Sequence, residues 1–406
     1  MDFARRLAFA ASAAALFAAP VSAQQAPNTS GAINDQLNWG DVFSNMLVVS
    51  RGDARAATSS ATSVGNAVSG ANLVGGLTAS STQANTGAIF AWSEVDAQNT
   101  REAVAIATSQ GNAAQAQTVD GDLALDGAQT SGPGDAFAGA KISAANTRTI
   151  SAGASTANNN FATAAENGDL TVNLAQTSSG SSYAVVDVDA GRSRDTVAGA
   201  SAAGNAYGSS SYTSTANADY AQTSTGPQVY ASTAVDQVQA RNVTAASTAT
   251  ANSAGIDNQW GYAQIRGRQA NTSSVYTESS VTLGTWNGAA LVSSNGVGNS
   301  TLATNVGSDM ALDVAQQNDG SVISGAFFEG SGSGDAVVAS TAIGNAITGY
   351  VCSQCGDAVL AGTTSQTNTG NIASTGTINA TTSGQLIGSA SAIGNSATFI
   401  TTSRNN

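Results

Sequence analysis

The charged residues that could do chemistry fall most densely in one short stretch, which contains Asp187, Asp189, Arg192, Arg194 and Asp195. Paired carboxylates beside arginines are typical of polysaccharide-acting β-helix enzymes, where one acts as acid and the other as base or nucleophile. The alternative is a solvated edge whose charges discourage edge-to-edge strand pairing. The pair Glu94 and Asp96 does not recur at the phase of this cluster, so we favour the second interpretation and predict no catalytic residues.

Other sites that would need a metal or cofactor are poorly supported. The chain has no His, which removes the commonest zinc ligand and the usual general base at neutral pH. The Asp-Gly-Asp at 120–122 could contact calcium, but the nonapeptide pattern of calcium-binding β-rolls is absent. We predict no metal site and no cofactor.

Cys352 and Cys355 are the two cysteines of the chain, spaced C-x-x-C. Zinc would need four ligands, and a thioredoxin-like motif would need a strand–helix context. In an oxidising compartment the pair predicts a small disulfide loop. The segment from Gly344 to Gln366 is longer than its counterparts elsewhere in the chain, which places this loop on a bulge.

Exposed aromatic side chains could contact sugar rings. The aromatic residues considered for this role are Trp39, Trp92, Trp260, Trp286, Tyr183, Tyr207, Tyr212, Tyr220 and Tyr230. They look sparse and irregularly spaced, and each could instead pack over a turn.

Charge and composition limit the possible partners. The formal net charge is −13 and the sequence pI about 4.1, which argues against nucleic acid or an anionic membrane, because both need clustered Lys and Arg. Small residues dominate and aromatics make up 5%, so a bulky core is not expected.

A glutamine recurs with almost constant spacing and defines a repeat. The series is Gln36, Gln83, Gln129, Gln176, Gln222, Gln269, Gln316 and Gln366, with steps of 47, 46, 47, 46, 47, 47 and 50 residues. A fixed period over eight copies is typical of a repeat architecture. Stacked copies would align the glutamines in an amide ladder.

A second series, mostly Gly-Asn, interleaves with the first. Its first residues are Gly65, Gly111, Asn158, Gly204, Gly298, Gly344 and Gly394, with Ala251 at the remaining place. Because Gly and Asn tolerate left-handed backbone, these positions are predicted to be turns with positive φ.

Period-two alternation follows each glutamine, as in Ile89, Ala91, Ser93, Val95 and Ala97. This pattern indicates strands with one buried face. The sequence therefore predicts an all-β fold, a β-solenoid (β-helix) of about eight 46–47-residue repeats. One period could form one wide coil or two coils of about half that length; we favour two, because four strands per period divide into two pairs.

The first 23 residues predict a secretory signal peptide. Arg5-Arg6 precede an apolar run from Leu7 to Ala19, and Val21-Ser22-Ala23 is a suitable cleavage site. The run is shorter than the roughly 20 residues of a spanning helix. We therefore expect a signal peptide at 1–23 and an exported solenoid domain at 24–406.

The repeat motifs resemble a known family. With the signal peptide, the QTSTG and QTNTG motifs and the segments STAIGNA (340–346) and SASAIGNS (389–396), the chain resembles the holdfast anchor protein D family of stalked alphaproteobacteria. The resemblance implies a surface protein associated with the outer membrane that tethers an extracellular adhesive polysaccharide. It also implies a curlin-type secretion pore and companion anchor proteins, and it supplies no catalytic residues.

Three functions follow. The first is an exported, non-enzymatic anchor for adhesive holdfast polysaccharide at the outer membrane, with self-association and no nucleic acid. The alternatives are a curli-like amyloid fibre subunit that adds end to end, and a polysaccharide-acting β-helix enzyme.

Overall fold

The computed structural model describes residues 30–353 and 358–403. These residues form twenty β-strands and no helix that could cross a membrane. In chain order the strands are β1 Ser30–Asn38, β2 Val42–Asn72, β3 Leu77–Asn85, β4 Ile89–Val119, β5 Leu123–Ser131, β6 Ala136–Glu166, β7 Leu170–Ser178, β8 Ser182–Tyr212, β9 Ala216–Ser224, β10 Gln228–Ala240, β11 Asn242–Gln259, β12 Ala263–Asn271, β13 Ser274–Trp286, β14 Ala289–Val306, β15 Met310–Asn318, β16 Val322–Gly332, β17 Asp335–Ser353, β18 Leu360–Asn368, β19 Ile372–Ala380 and β20 Leu386–Ser403.

Every strand pairs in parallel with its counterpart one repeat away. Gln36 is in register with Gln83, and Gln83 with Gln129. The eight short strands form one sheet and the twelve remaining strands a second, so the predicted all-β solenoid is confirmed. The preference for two coils per period is wrong, because the register advances by a whole period and each repeat makes one wide coil. At about 4.8 Å per strand, eight coils stack to about 40 Å.

Each coil is flattened into two layers, and each layer holds two of the four strand segments of a period. In the second coil, the short strand β3 and the first part of β4 form one layer, and the remainder of β4 returns as the other. Gln83 Nε2 donates to Ala113 O over 3.1 Å, and Ser109 Oγ donates to Ile89 O over 3.0 Å. The two strand pairs therefore face each other within one coil.

Two apolar cores lie between the layers. The first is built mainly from Ala and Val, such as Ala91, Val95 and Ala105. The second lies behind the short strands and holds larger side chains, including Leu170, Phe161 and Tyr220. Small side chains allow the layers to approach closely, and for this reason a chain with few aromatic residues still encloses a core.

Between these cores the eight glutamines form a continuous amide column. Each Nε2 from Gln83 onward donates to Oε1 of the preceding glutamine over 2.7–3.0 Å. The second N–H of each amide donates to a backbone carbonyl of the opposite layer, such as Ala206 O for Gln176. The carbonyl fixes which amide atom is nitrogen, and the column therefore has one direction.

A second column, made of asparagines, lies beside the first, and its hydrogen bonds point in the opposite direction along the stack. Asn66, Asn112, Asn159, Asn205, Asn252, Asn299 and Asn345 each donate Nδ2 to Oδ1 of the next asparagine over 2.7–2.8 Å. The amide dipoles of the two columns therefore oppose each other, and between the two end coils the side-chain amide groups of the columns are satisfied without water.

Hydroxyl groups form a third connection inside the first core. Ser374 Oγ donates to Ser340, Ser340 to Ser324, and Ser324 to Ser294, each over 2.8–2.9 Å. The chain of hydrogen bonds crosses from layer to layer as it passes from coil to coil, which stabilises the pairing of the two layers as well as the stacking.

The Gly-Asn positions are not turns. The residues Gly65, Gly111, Asn158, Gly204, Gly298 and Gly344 lie inside long strands, and the described glycines with positive φ are Gly75, Gly132 and Gly307. The predicted left-handed backbone, which included Gly394, is therefore wrong. Glycine is needed because of close approach: a Cβ on Gly111 would lie 2.5 Å from Asn158 O and 2.7 Å from Ser131 Oγ.

Asn158 stands at the position that glycine occupies in most other coils. In most coils an Asn two residues after the glutamine donates to the turn carbonyl, as Asn85 does to Gly87 O over 2.9 Å. Ser178 occupies that place in its coil, and Asn158 Nδ2 reaches Ser178 Oγ and Gly180 O over 2.7 and 2.8 Å. A side chain at the Gly position thus supplies the missing amide.

Candidate carbohydrate-binding face and arginine corner

A row of aromatic side chains runs along the outer face of the first part of the long strands. Strand register places one ring per coil over six coils. The row, which we call the aromatic row, consists of Phe43, Phe90, Phe137, Tyr183, Tyr230 and Tyr276. Outward alternation leaves these rings half-buried or, for Phe43, exposed.

The rings of the aromatic row are arranged in blocks. Phe90 and Phe137 are stacked with centroids 5.0 Å apart, and Tyr230 and Tyr276 are stacked at 5.4 Å. Tyr183 is tilted by 54° against Tyr230. Stacked rings cover each other's faces, so the row presents edges and phenol hydroxyls outward, with ring faces accessible where neighbours are tilted.

Polar groups flank the aromatic row. Tyr276 donates to Glu278 Oε2 over 2.7 Å, and Trp92 Nε1 donates to Glu94 Oε2 over 3.2 Å. Partial burial, together with the bond to the Glu278 carboxylate, raises the pKa of Tyr276 to about 12. The phenol therefore remains a neutral donor at physiological pH. Alternating rings, hydroxyls and carboxylates suit the apolar faces and hydroxyls of sugars.

The charged cluster found in the sequence is divided by the fold. Asp187 and Asp189 lie on the same outer face as the aromatic row, whereas Arg192 and Arg194 lie at the corner where the long strand bends. Arg194 pairs with Asp195 at 3.4 Å. The structure therefore does not gather the five residues into one groove.

The expected phase difference for Glu94 and Asp96 is wrong. Glu94 is in register with Lys141 and through it with Asp187, and Asp96 is in register with Ser143 and Asp189. Carboxylates thus recur on this face at matching places two coils apart. Such recurrence is typical of a repeated surface rather than of one catalytic pair.

The aromatic residues considered from sequence have different locations. Tyr207 and Tyr220 are buried in the second core with ring centroids 5.9 Å apart, and Trp286 is buried at 2% exposure. Trp39, Tyr212 and Trp260 are exposed outside the aromatic row. The Trp and Tyr residues alone do not show the spacing of the row, because half of its members are Phe.

The Asp-Gly-Asp segment is part of a turn between coils. Asp120 Oδ1 accepts from Asn167 Nδ2 at 2.9 Å, and Asp122 Oδ1 accepts from the Asp169 backbone N–H at 2.8 Å. These carboxylates tie one turn to the next. Over the part of the chain that the structure describes, no three His, Cys, Asp or Glu side chains are grouped to hold a metal ion.

The sequence matches the family described as Holdfast attachment protein D over residues 51–321, which is more than half of the chain. The chain belongs to the holdfast attachment protein D family. No curated protein and no solved structure matches it. The family indicates a structural role in adhesion, at the cell surface or outside the cell.

The structure describes one of the two cysteines. Cys352 lies near the end of β17, where hydrogen bonds with Thr402 and Tyr350 lower the pKa of its thiol. Cys355 lies outside the described residues, as does the segment 1–23. The disulfide and the signal peptide therefore stay predictions.

The arginines of the chain are clustered, so its low content of Lys and Arg does not by itself exclude an anionic partner. The few cations are brought together by the period of the repeat. Arg55, Arg101, Arg148, Arg194 and Arg241 are spaced by 46–47 residues, and all five are exposed. The signal was readable in the sequence once the glutamines had defined the phase.

Proposed function

We propose that the protein is an exported, non-enzymatic anchor that attaches adhesive holdfast polysaccharide to the outer membrane. Family membership supports the adhesive role. The observation that carries the proposal is the aromatic row, because one aromatic side chain per coil over six coils offers a sugar chain a series of ring edges, phenol hydroxyls and, where neighbouring rings are tilted, ring faces. Each contact is weak, and strength comes from simultaneous engagement along the stack.

The scaffold suits a protein that must withstand mechanical force. The stacked coils are joined by continuous backbone pairing and by the glutamine and asparagine columns, so that pulling one coil loads its neighbours. A signal peptide at 1–23 accounts for export, and a curlin-type pore with companion anchor proteins at the outer membrane would complete the attachment. Surface protein whose first residue is Gln24 would be the direct sign of cleavage and export.

The binding test uses a triple variant of the aromatic row. Tyr183→Ser, Tyr230→Ser and Tyr276→Ser keep half-buried positions small and polar. Cells lacking the gene are complemented with the wild type or the variant, and the holdfast retained on cells is compared with that shed into the medium. We expect shedding from the variant at equal surface protein. Full retention would sink the aromatic row as the attachment site.

A matched control separates binding from folding. Tyr262 is exposed at 41% outside the aromatic row, and Tyr262→Ser is expected to retain the holdfast. Absence of shedding from the deletion strain itself would refute the anchor function. Polysaccharide cleavage by the purified wild type, lost in Asp187→Ala with Asp189→Ala, would instead establish an enzyme.

A fibre subunit is the second candidate, favoured by the two ends of the amide columns. In the first described coil Gln36 has an N–H directed away from the stack, while in the last coil the Gln366 Oε1 has no described donor. The asparagine column ends in the opposite sense at Asn66 and Asn395. The ends are thus complementary for head-to-tail addition, which concentration-dependent fibres of purified protein would reveal.

A further inference from the structure

Five arginines stand in one column at the corner of the coil, where the long strand bends. The flanking residues are in register: Thr100 with Thr147 and Ser193, and Glu102 with Thr149 and Asp195. We call Arg55, Arg101, Arg148, Arg194 and Arg241 the arginine row. It lies eleven or twelve residues further along each coil than the aromatic row and ends where Gly288 takes the next place.

This concentration of charge is unexpected in so acidic a chain. The sequence holds 13 Lys and Arg against 26 Asp and Glu, yet five of the cations are stacked about 4.8 Å apart. Arg51 precedes Arg55 by four residues, and Arg192 precedes Arg194 by two residues and lies beside Arg148 and Arg194. Like charges in register on adjacent strands repel each other, so the arrangement is unfavourable for the isolated protein.

Local carboxylates do not neutralise the row. Arg194 pairs with Asp195 at 3.4 Å, and the neighbouring Arg51 pairs with Asp96 at 3.6 Å. Between residues 30 and 403, outside the gap at 354–357, the ion pairs do not include Arg55, Arg101, Arg148 or Arg241. Four guanidinium groups therefore retain their full capacity for an external anion.

A shallow, widely open recess among the arginines adds hydroxyl groups to the site. It has a volume of about 380 Å³ and is lined by Thr100, Asn146, Thr147, Arg148, Arg192, Ser193 and Arg194. The Thr100 and Thr147 hydroxyls form its buried part and lie 3.1 Å apart. Guanidinium groups above hydroxyl groups match carboxylate and sugar hydroxyl groups together.

The spacing of the row distinguishes between polyanions. Each strand of a DNA duplex carries a phosphate about every 3.4 Å along the helix axis, a density that one arginine per coil does not match, and the excess negative charge would face a protein of net charge −13. A polysaccharide carries at most about one carboxylate on each sugar ring and brings hydroxyls between them. Arg forms bidentate bonds with such carboxylates.

We propose that the arginine row and its recess bind a carboxylated polysaccharide lying along the solenoid axis. The site deepens the proposed anchor function by naming a chemical class of polymer, but it uses residues separate from the aromatic row. The tyrosine variant therefore tests the aromatic row, and the arginine variants test the arginine row separately.

The test measures binding of polygalacturonate oligomers to the full-length exported protein at low salt. The row variant is Arg101→Gln with Arg148→Gln. The control variant, Arg266→Gln with Arg268→Gln on the outer face of β12, changes the net charge by the same amount at exposed positions. We expect the row variant to lose affinity about tenfold or more, and the control to bind within about twofold of wild type.

Further arms decide the chemistry. Methyl-esterified polygalacturonate, which lacks the charge, should bind at least about tenfold more weakly, and added salt should weaken carboxylate binding. Thermal unfolding checks that each variant folds, and Arg101→Lys with Arg148→Lys, which keeps the charge, should recover part of the affinity. Absence of wild-type binding, equal losses in both Gln variants, equal binding of the ester, or tighter binding of oligothymidylate would each overturn the proposal.

Discussion

The side-chain amide nitrogen of Gln176 lies 2.8 Å from the side-chain oxygen of Gln129, although 47 residues of chain separate them. The Gln176 amide also donates to Ala206 O at 2.9 Å and accepts from Gln222 at 2.8 Å, and the side chain is fully buried. One residue thus joins three successive coils and both layers. In this chain the amide columns supply part of the stabilisation that large apolar side chains supply in most domains.

Replacing Gln176 by Met tests that role at nearly constant volume. The substitution leaves Gln129 Oε1 and Ala206 O without these donors, so we expect a loss of about 2–4 kcal/mol in unfolding free energy. Gln264→Met, at a half-exposed position on β12, should change it by less than about 0.5 kcal/mol. Urea unfolding followed by circular dichroism measures both. Equal effects would mean that the column contributes nothing specific.

A glycine column at the turns after the short strands permits the close approach of neighbouring coils. A Cβ on Gly180 would lie 2.1 Å from Gly134 O, whereas a Cβ on Gly153 would meet nothing within 4 Å. Gly180→Ala should therefore cost about 3 kcal/mol or more through overpacking against backbone, while Gly153→Ala should be neutral. Melting temperatures of the two variants check this. A stable Gly180→Ala protein would contradict the close stacking of these turns.

Alkaline pH should destabilise the second core through its buried tyrosines. Burial raises the pKa of Tyr220 despite its hydrogen bond with Thr301. Because the folded-state pKa exceeds the unfolded value of about 10, the phenol contributes its full stability below that pH, and the contribution is lost as pH rises towards the folded-state pKa. We expect the melting temperature to fall above pH about 10, with a shallower slope in Tyr220→Phe.

The slope should become shallower but not flat, because burial also raises the pKa of Tyr207. Tyr262→Phe, at an exposed position, serves as the control and should follow the wild type. The measurement is the melting temperature at several values between pH 8 and pH 11. Identical slopes for all three proteins would show that Tyr220 ionises as easily as an exposed phenol.

The spacing of the repeated motifs was sufficient to predict that the coils stack, but it did not predict the shape of one coil. Gln36 to Gln366 defined the period and therefore the strand register. Whether a period forms one coil or two depends on contacts between layers, such as Gln83 with Ala113, and such contacts have no periodic signature. The need for a glycine at Gly111 could not be predicted for a similar reason, because the atoms that a Cβ there would meet belong to the next coil.

The two candidate surfaces illustrate a different limit. Arg101 and Arg148, or Phe90 and Phe137, differ by 47 residues, so both rows follow from the period once each column of equivalent positions is read separately. Overall composition conceals them, because a low content of Lys, Arg and aromatic residues says nothing about how those residues are aligned. Alignment, rather than abundance, determines the surface that a solenoid presents.

The central claim is that equivalent positions of consecutive repeats are adjacent, one strand apart. Asp126, Asn173 and Asp219 are exposed, outward-facing and in register on β5, β7 and β9. Spin labels at these three positions, introduced as cysteines in a background with Cys352→Ser and Cys355→Ser, would measure their spacing directly. One coil per repeat predicts an exchange-narrowed single line from labels about 4.8 Å apart in backbone spacing. Resolved three-line spectra, as expected if an intervening rung separated the labels, would contradict the account.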